Sequence, residues 1–165
     1  MPRKSRLNPQ SALKANGALL DDTNRQLLQL LHEDPRLSMS ELARRVGKSA
    51  PAVSERIQRL EEAGVIAGYR MEVDPKALGL SLAAFVRIRP MPGQLAKVAE
   101  LAQRAPEVVE CHRITGEGCF LLKLHVADVQ ALEKSLDRFL AYGQTTTSIV
   151  QSSPVPLRPL PLPMC

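Results

Sequence analysis

Five basic side chains, Arg44, Arg45, Lys48, Arg56 and Arg59, cluster in one short stretch, interleaved with the small residues Ser49, Ala50, Pro51 and Ser54. Guanidinium and ammonium groups neutralise phosphates, which positions a protein on a duplex without specifying sequence. Small residues let a helix come close to base edges and thymine methyls, where a Ser hydroxyl donates or accepts. Between Leu37 and Leu60 only Glu41 and Glu55 oppose these bases. The chemistry expected here is recognition of double-stranded DNA. The competing reading is an ordinary three-helix bundle with a solvated charged face.

A second group of reactive residue types is His112 and His125 with Cys111 and Cys119 nearby. Cys111 and His112 are neighbours in an expected strand and so point to opposite faces, which argues against their meeting on a metal. The chain has no GxSxG, HExxH, Walker or dinucleotide fingerprint. No metal, no cofactor and no catalytic residue is therefore expected.

The elements that must hold the basic cluster read as three helices. Leu20, Leu27, Leu28 and Leu31 recur at helical spacing between Leu20 and Asp34, with Asp21 or Asp22 as N-cap and Asp34-Pro35 as the stop. Ser40 is expected to cap a second helix with Leu42, Ala43 and Val46 inward, halted by Gly47. Ser49 caps a third, with Pro51 tolerated in its first turn and Val53, Ile57 and Leu60 as its buried stripe. That stripe leaves Ala50, Ser54, Arg56 and Arg59 on the sides or outer face. Gly64 closes the helix, and VIAGYRMEV continues as an extended run. Two short helices joined by a tight glycine-containing turn, with a third in front, form a helix-turn-helix.

The second half reads differently. SLAAFVRIR alternates as a strand, QLAKVAELAQRA has helical spacing through Leu95, Val98, Ala99 and Ala102, and VVECHRIT and CFLLKLHV flank a short Gly116-Glu117-Gly118 turn. VQALEKSLDRFLAY is amphipathic through Val129, Leu132, Leu136 and Phe139, and TTTSIVQSS closes as a strand. The order β-α-β-β-α-β is the ferredoxin-like split motif. Two helices cover one face of four strands, while Phe85 and Leu121 fall on the other. A continuous apolar face needs cover, so a homodimer is expected.

Composition sets the frame. The chain has 165 residues, 44% hydrophobic and 24% charged, enough for packed cores and long enough for two small domains. No apolar run approaches the ~20 residues that span a bilayer, so no membrane association is expected. Five aromatics and no Trp argue against a base-stacking single-strand or RNA binder. Three scattered cysteines without a CxxC pair speak for a reduced, cytoplasmic protein without a disulfide framework. Arg3, Lys4, Arg6 and Lys14 hold most of the net charge of +5, so overall basicity is not what points to DNA. The expected division is a basic arm over 1–19, a DNA-binding domain over 20–73, a hinge over 74–80, a second domain over 81–153 and a proline-rich tail over 154–165.

The strings LDDTNRQLLQLL, SELARRVGKSAPAVSERIQRLEEAGVIAGYRMEVDPKALG and ECHRITG...FLLKLHV resemble the leucine-responsive regulator (Lrp/AsnC) family over about residues 20–153. Asn24 stands where that family usually has Asp. The resemblance implies an α+β fold. A winged-helix-like helix-turn-helix domain would carry its recognition helix at 50–63, and a ferredoxin-like sandwich would sense an effector and oligomerise. It further implies that 65–73 is a strand helping to pair N-terminal domains, and that dimers assemble to a tetramer or octamer.

Carried over by position, the resemblance places a small amino-acid-like effector between subunits near Thr115, Gly116, Glu117, Gly118 and Cys119, with Gln144, Thr145 and Thr147. Glycines there allow backbone amides to approach a carboxylate. The family turn commonly carries Asp before an aromatic; here Cys119 precedes Phe120. Either Glu117 substitutes for that Asp, or the ligand differs or is absent. The function implied is sequence-specific regulation of transcription. The alternatives are an architectural DNA compactor and a haem-pathway decarboxylase that shares the fold and uses histidines.

Overall fold

In the computed structural model, which describes residues 19–116, 119–158 and 160–161, helix α1 (Asp22–Glu33) begins where Asp21 accepts the Asn24 amide at 2.8 Å. Helix α2 (Met39–Val46) is capped by Ser38, whose Oγ accepts the Glu41 amide at 3.2 Å. Ser40, the expected cap, lies inside the first turn. Ser38-x-x-Glu41 has capping-box spacing and satisfies that orphan donor two residues earlier. Gly47 ends α2 at φ 64, a left-handed conformation that suits glycine. Ser49 then caps α3 (Ala50–Glu62). Beyond Ala63, Gly64 (φ 72) turns the chain so that the Val65 and Ile66 amides both reach the Leu60 carbonyl.

Leu27, Leu31, Leu42, Ala43, Val53 and Ile57 form the core of this helical unit, and Leu30, Leu37, Val46, Ala50 and Ile66 pack against it. Each fully buried aliphatic side chain contributes roughly 1.5–3 kcal/mol, which is what holds three short helices together. The expected strand over 65–73 does not form: residues 67–74 have no regular structure. Among the described residues the helical unit has no other strand, so the extended run lacks a ladder partner.

Contacts divide the chain between Met71 and Glu72, and Glu72–Pro156 cluster as a second unit. The stretch expected as a hinge carries a 3₁₀ turn, Pro75–Leu78, capped by Asp74. Then follow β1 (Leu82–Pro90), α4 (Leu95–Arg104), β2 (Val108–Ile114), β3 (Cys119–Val126), α5 (Val129–Leu140) and β4 (Gly143–Ile149). The strands form one antiparallel sheet in the order β2-β3-β1-β4. Val86, Ile88, Phe120, Leu122 and Leu124 bury one face against Val98 and Ala102 of α4 and Phe139 of α5. Leu95 and Val129, expected inward, are exposed, and Ser135 takes an inward place on α5, donating to Glu107 at 2.8 Å.

Strand β4 starts before the expected Thr145 and ends before Ser153. Gly143 pairs with Pro90, and a Cβ on Gly143 would lie 2.5 Å from the Arg89 carbonyl oxygen, so glycine permits this close entry. At the far end β1 begins at Leu82, and Val150 donates to Ala83 as the last link. Among the described residues after Val150, none is in a strand. The fold is α+β. Of the expected basic arm only Leu19 is described, and residues 154–158 and 160–161 of the tail are exposed.

Candidate nucleic-acid interface

Helix α3 buries Val53, Ile57 and Leu60, and its free face carries Pro51, Ser54, Glu55, Gln58 and Arg59. Ser49, at the cap, and Lys48, in the turn before it, are also exposed. Two expected contacts sit elsewhere. Ala50 is half-buried and packs on the helical core. Arg56 lies three residues after Val53 and one before Ile57, on the inward flank of α3. Its Nη1 donates to Asp21 Oδ2 at 2.7 Å and to Asn24 Oδ1 at 3.0 Å. That hydrogen bond, with the Asn24 amide, holds the Asp21 carboxyl below its ordinary range.

The three remaining arginines are paired along their own helices. Glu41 Oε1 accepts from Arg44 Nη2 at 2.7 Å and from Arg45 Nε at 2.8 Å, and Glu41 Oε2 accepts from Arg44 Nε at 3.0 Å. These bonds pull the Glu41 carboxyl down to about 2, Arg44 contributing first and Arg45 second. Arg59 pairs with Glu55. Gln58 is not among the expected contacts. It lies four residues after Ser54, on the same stripe of the helix, and donates to Glu62 at 2.8 Å. Gln is the side chain that pairs bidentately with adenine in the major groove.

In the sheet unit, Thr115 and Gly116 occupy the β2–β3 turn, Gly116 at φ 101. Glu117 and Gly118 lie outside the described residues, as does the side chain of Cys119, whose backbone pairs with Ile114. Ile88 faces both Phe120 and Thr145, and Arg89 faces Gln144, so the turn and Gln144 share one end of the sheet. Thr145 and Thr147 do not join them. They pair with the buried Ile88 and Val86 and so point to the helix-covered side, whereas Gln144 pairs with exposed Arg89 on the open side. Thr146 and Ser148 join Gln144 on the open side of β4; strict alternation is the signal for them.

The open side also holds Phe85, 40% exposed, together with Leu121, Lys123, Glu110 and His112. Glu110 lies 3.6 Å from both His112 and Lys123. Burial first, then Lys123, lowers the affinity of His125 for a proton, and burial raises the Cys111 thiol. Cys111 pairs with Leu122 and His112 with Leu121, so the two point to opposite sides. Among the described residues no three His, Cys, Asp or Glu side chains are grouped as metal ligands.

Residues 20–67 match the winged helix-turn-helix DNA-binding family, and residues 83–160 match the Lrp/AsnC ligand binding domain. Over 133 residues the chain is 34% identical to the HTH-type transcriptional regulator LrpC of Bacillus subtilis, covering 81% of this chain and 92% of that one. The chain belongs to the Lrp/AsnC family. It is 39% identical to the HTH-type transcriptional regulator LrpA of Mycobacterium tuberculosis, over 78% of this chain and 86% of the relative. Among solved structures, a Neisseria meningitidis transcriptional regulator in complex with L-Met superposes with a TM-score of 0.77 at 32% identity, covering 86% of this chain and 96% of that one.

Against the Lrp/AsnC pattern, Asn24 is the departure whose chemistry is visible. It is 5% exposed, and its Nδ2 donates to the Leu19 carbonyl at 2.7 Å while its Oδ1 accepts from Arg56. An ionised Asp would accept from Arg56 but has no proton to give Leu19. Among the described residues, no helix of this Lrp/AsnC chain is long and apolar enough to cross a membrane.

Proposed function

We propose that the protein is a sequence-specific, dimeric regulator of transcription that sets α3 into the major groove and answers to a small amino-acid-like effector. The observation that carries this is the free face of α3, with Ser54 and Gln58 as the base-reading pair and Lys48, Ser49, Pro51 and Arg59 at its margins. Arg44 and Arg45, near the end of α2, are placed to meet phosphates, since the first helix of the motif crosses the backbone. Two copies of α3 in a dimer would read half-sites roughly 34–36 Å apart or a multiple of that.

The open side of the sheet, with exposed Phe85 and half-buried Leu121, supports pairing with a second copy. The L-Met complex of the Neisseria relative supports an amino-acid effector. Thr115, Gly116 and Gln144 are the expected effector residues that share one end of the sheet. The reading assigns no catalysis and places the protein with DNA in the cytoplasm.

Selection of duplexes from a random pool tests it. The enriched duplex should bind about a thousandfold or more tighter than its shuffled copy at one fixed salt concentration. Equal binding would replace the regulator with an architectural compactor.

A further inference from the structure

Four of the five basic residues expected at DNA are paired with acids of the helical unit. Arg44 and Arg45 share Glu41, Arg56 is held by Asp21, and Arg59 is held by Glu55. Of the five basic residues expected at DNA, Lys48 alone has no ion pair among the described residues. Glu41 is well placed for restraint: its carboxylate is 30% exposed and engages two guanidiniums of 74% and 42% exposure.

A protein that grips any duplex gains affinity by releasing counterions, and that gain scales with the number of phosphates its free bases neutralise. Here each arginine must first leave a carboxylate. Exposed pairs of this kind are weak, so a well-placed phosphate can displace the acid. The displaced carboxylate stays close by and repels the backbone unless base contacts hold the register.

We propose that Glu41 and Glu55 are specificity-determining residues, which hold Arg44, Arg45 and Arg59 off random DNA and release them only at a site that α3 recognises. This rests on the DNA-reading function proposed above. It concerns the ratio between specific and random binding rather than the contacts themselves.

The test is Glu41→Gln in the full chain, titrated against the selected duplex and its shuffled copy across a salt series. Random-duplex affinity should rise roughly three- to tenfold near 0.15 M salt, and the log–log salt slope should steepen by about one. The selected duplex should gain less, narrowing the ratio. Unchanged or weaker random binding would overturn the proposal.

The cap at Ser38 uses the Glu41 amide rather than its carboxylate, so the variant keeps its helix start. Glu55→Gln, which frees Arg59, should act in the same direction and decides the matter should E41Q melt early. The wild-type ratio of selected to shuffled binding tests the regulator reading by itself, so either idea can fail alone.

Discussion

Arg56 on α3 reaches Asp21 at the start of α1, with its Nη1 2.7 Å from the carboxylate, and the same nitrogen satisfies the buried Asn24. The contact ties α3 to the start of α1. Truncating the guanidinium leaves the Asn24 oxygen, in a side chain 5% exposed, without this donor. The half-exposed Asp21 pair adds little. Arg56→Ala should therefore destabilise the helical unit by about 1–2 kcal/mol, read by urea unfolding. A loss of only a few tenths of a kcal/mol would show that the clamp is idle.

How far the interface was legible in the sequence follows from this contact. The spacing of Val53, Ile57 and Leu60 marked α3 and its buried side, because packing imposes the helical period. It did not place Arg56, whose long stem can turn inward or outward; Asp21 and Asn24, distant in sequence, decide that. In β4 strict alternation separates Gln144 from Thr145, whereas position in the family groups them. Residues 65–73 alternate as a strand would, yet alternation specifies a face and not a partner.

Acid should weaken the protein through Glu41 and Asp21. Both folded carboxyls bind protons less readily than ordinary ones, Glu41 shifting from 4.5 to about 2. A depressed folded value means stability that is complete above the unfolded value and lost as pH falls through the folded one. For Glu41 the window runs from about 4.5 to about 2. Thermal melts between pH 5 and pH 2 should fall less steeply in Glu41→Gln than in wild type. Parallel acid limbs would mean that the Arg44 and Arg45 pairs are not formed in solution.

Gly143 should resist replacement. A Cβ 2.5 Å from the Arg89 carbonyl oxygen meets backbone, which cannot swing away as a side chain can. Gly143→Ala should cost about 1–3 kcal/mol by overpacking, seen as a lowered melting temperature of the sheet unit. Gly79, at φ 76 with open space around it, should lose stability to Ala through backbone strain alone. A Gly143→Ala protein as stable as wild type would show that β4 enters the sheet by another path.

A thermal-shift screen of the amino acids addresses the effector. A ligand at a hundredfold excess over its Kd stabilises the fold by ~2.7 kcal/mol, a readable shift. Gln144→Ala should shrink that shift. Thr145→Ala and Thr147→Ala should leave it, because these residues point to the helix-covered side. The reverse pattern would move the site to the other side of the sheet, and no shift with any amino acid would remove the amino-acid effector from the proposal.

The two kinds of contact at DNA should separate by salt and by sequence. Ser54 and Gln58 lie on one exposed stripe of α3 and are assigned to base edges, so Gln58→Ala should cost about 1–3 kcal/mol at the selected site. It should relax preference at one or two base pairs while leaving the salt slope unchanged. Lys48, exposed and without an ion pair among the described residues, is assigned to a phosphate. Lys48→Ala should weaken every duplex by a similar factor and reduce the salt slope by about one. Arg56→Lys, which keeps its charge beside Asp21, should change neither slope nor preference where the protein remains folded. A salt slope reduced by Arg56→Lys as much as by Lys48→Ala would instead place Arg56 at the DNA, with its contact to Asp21 surrendered on binding.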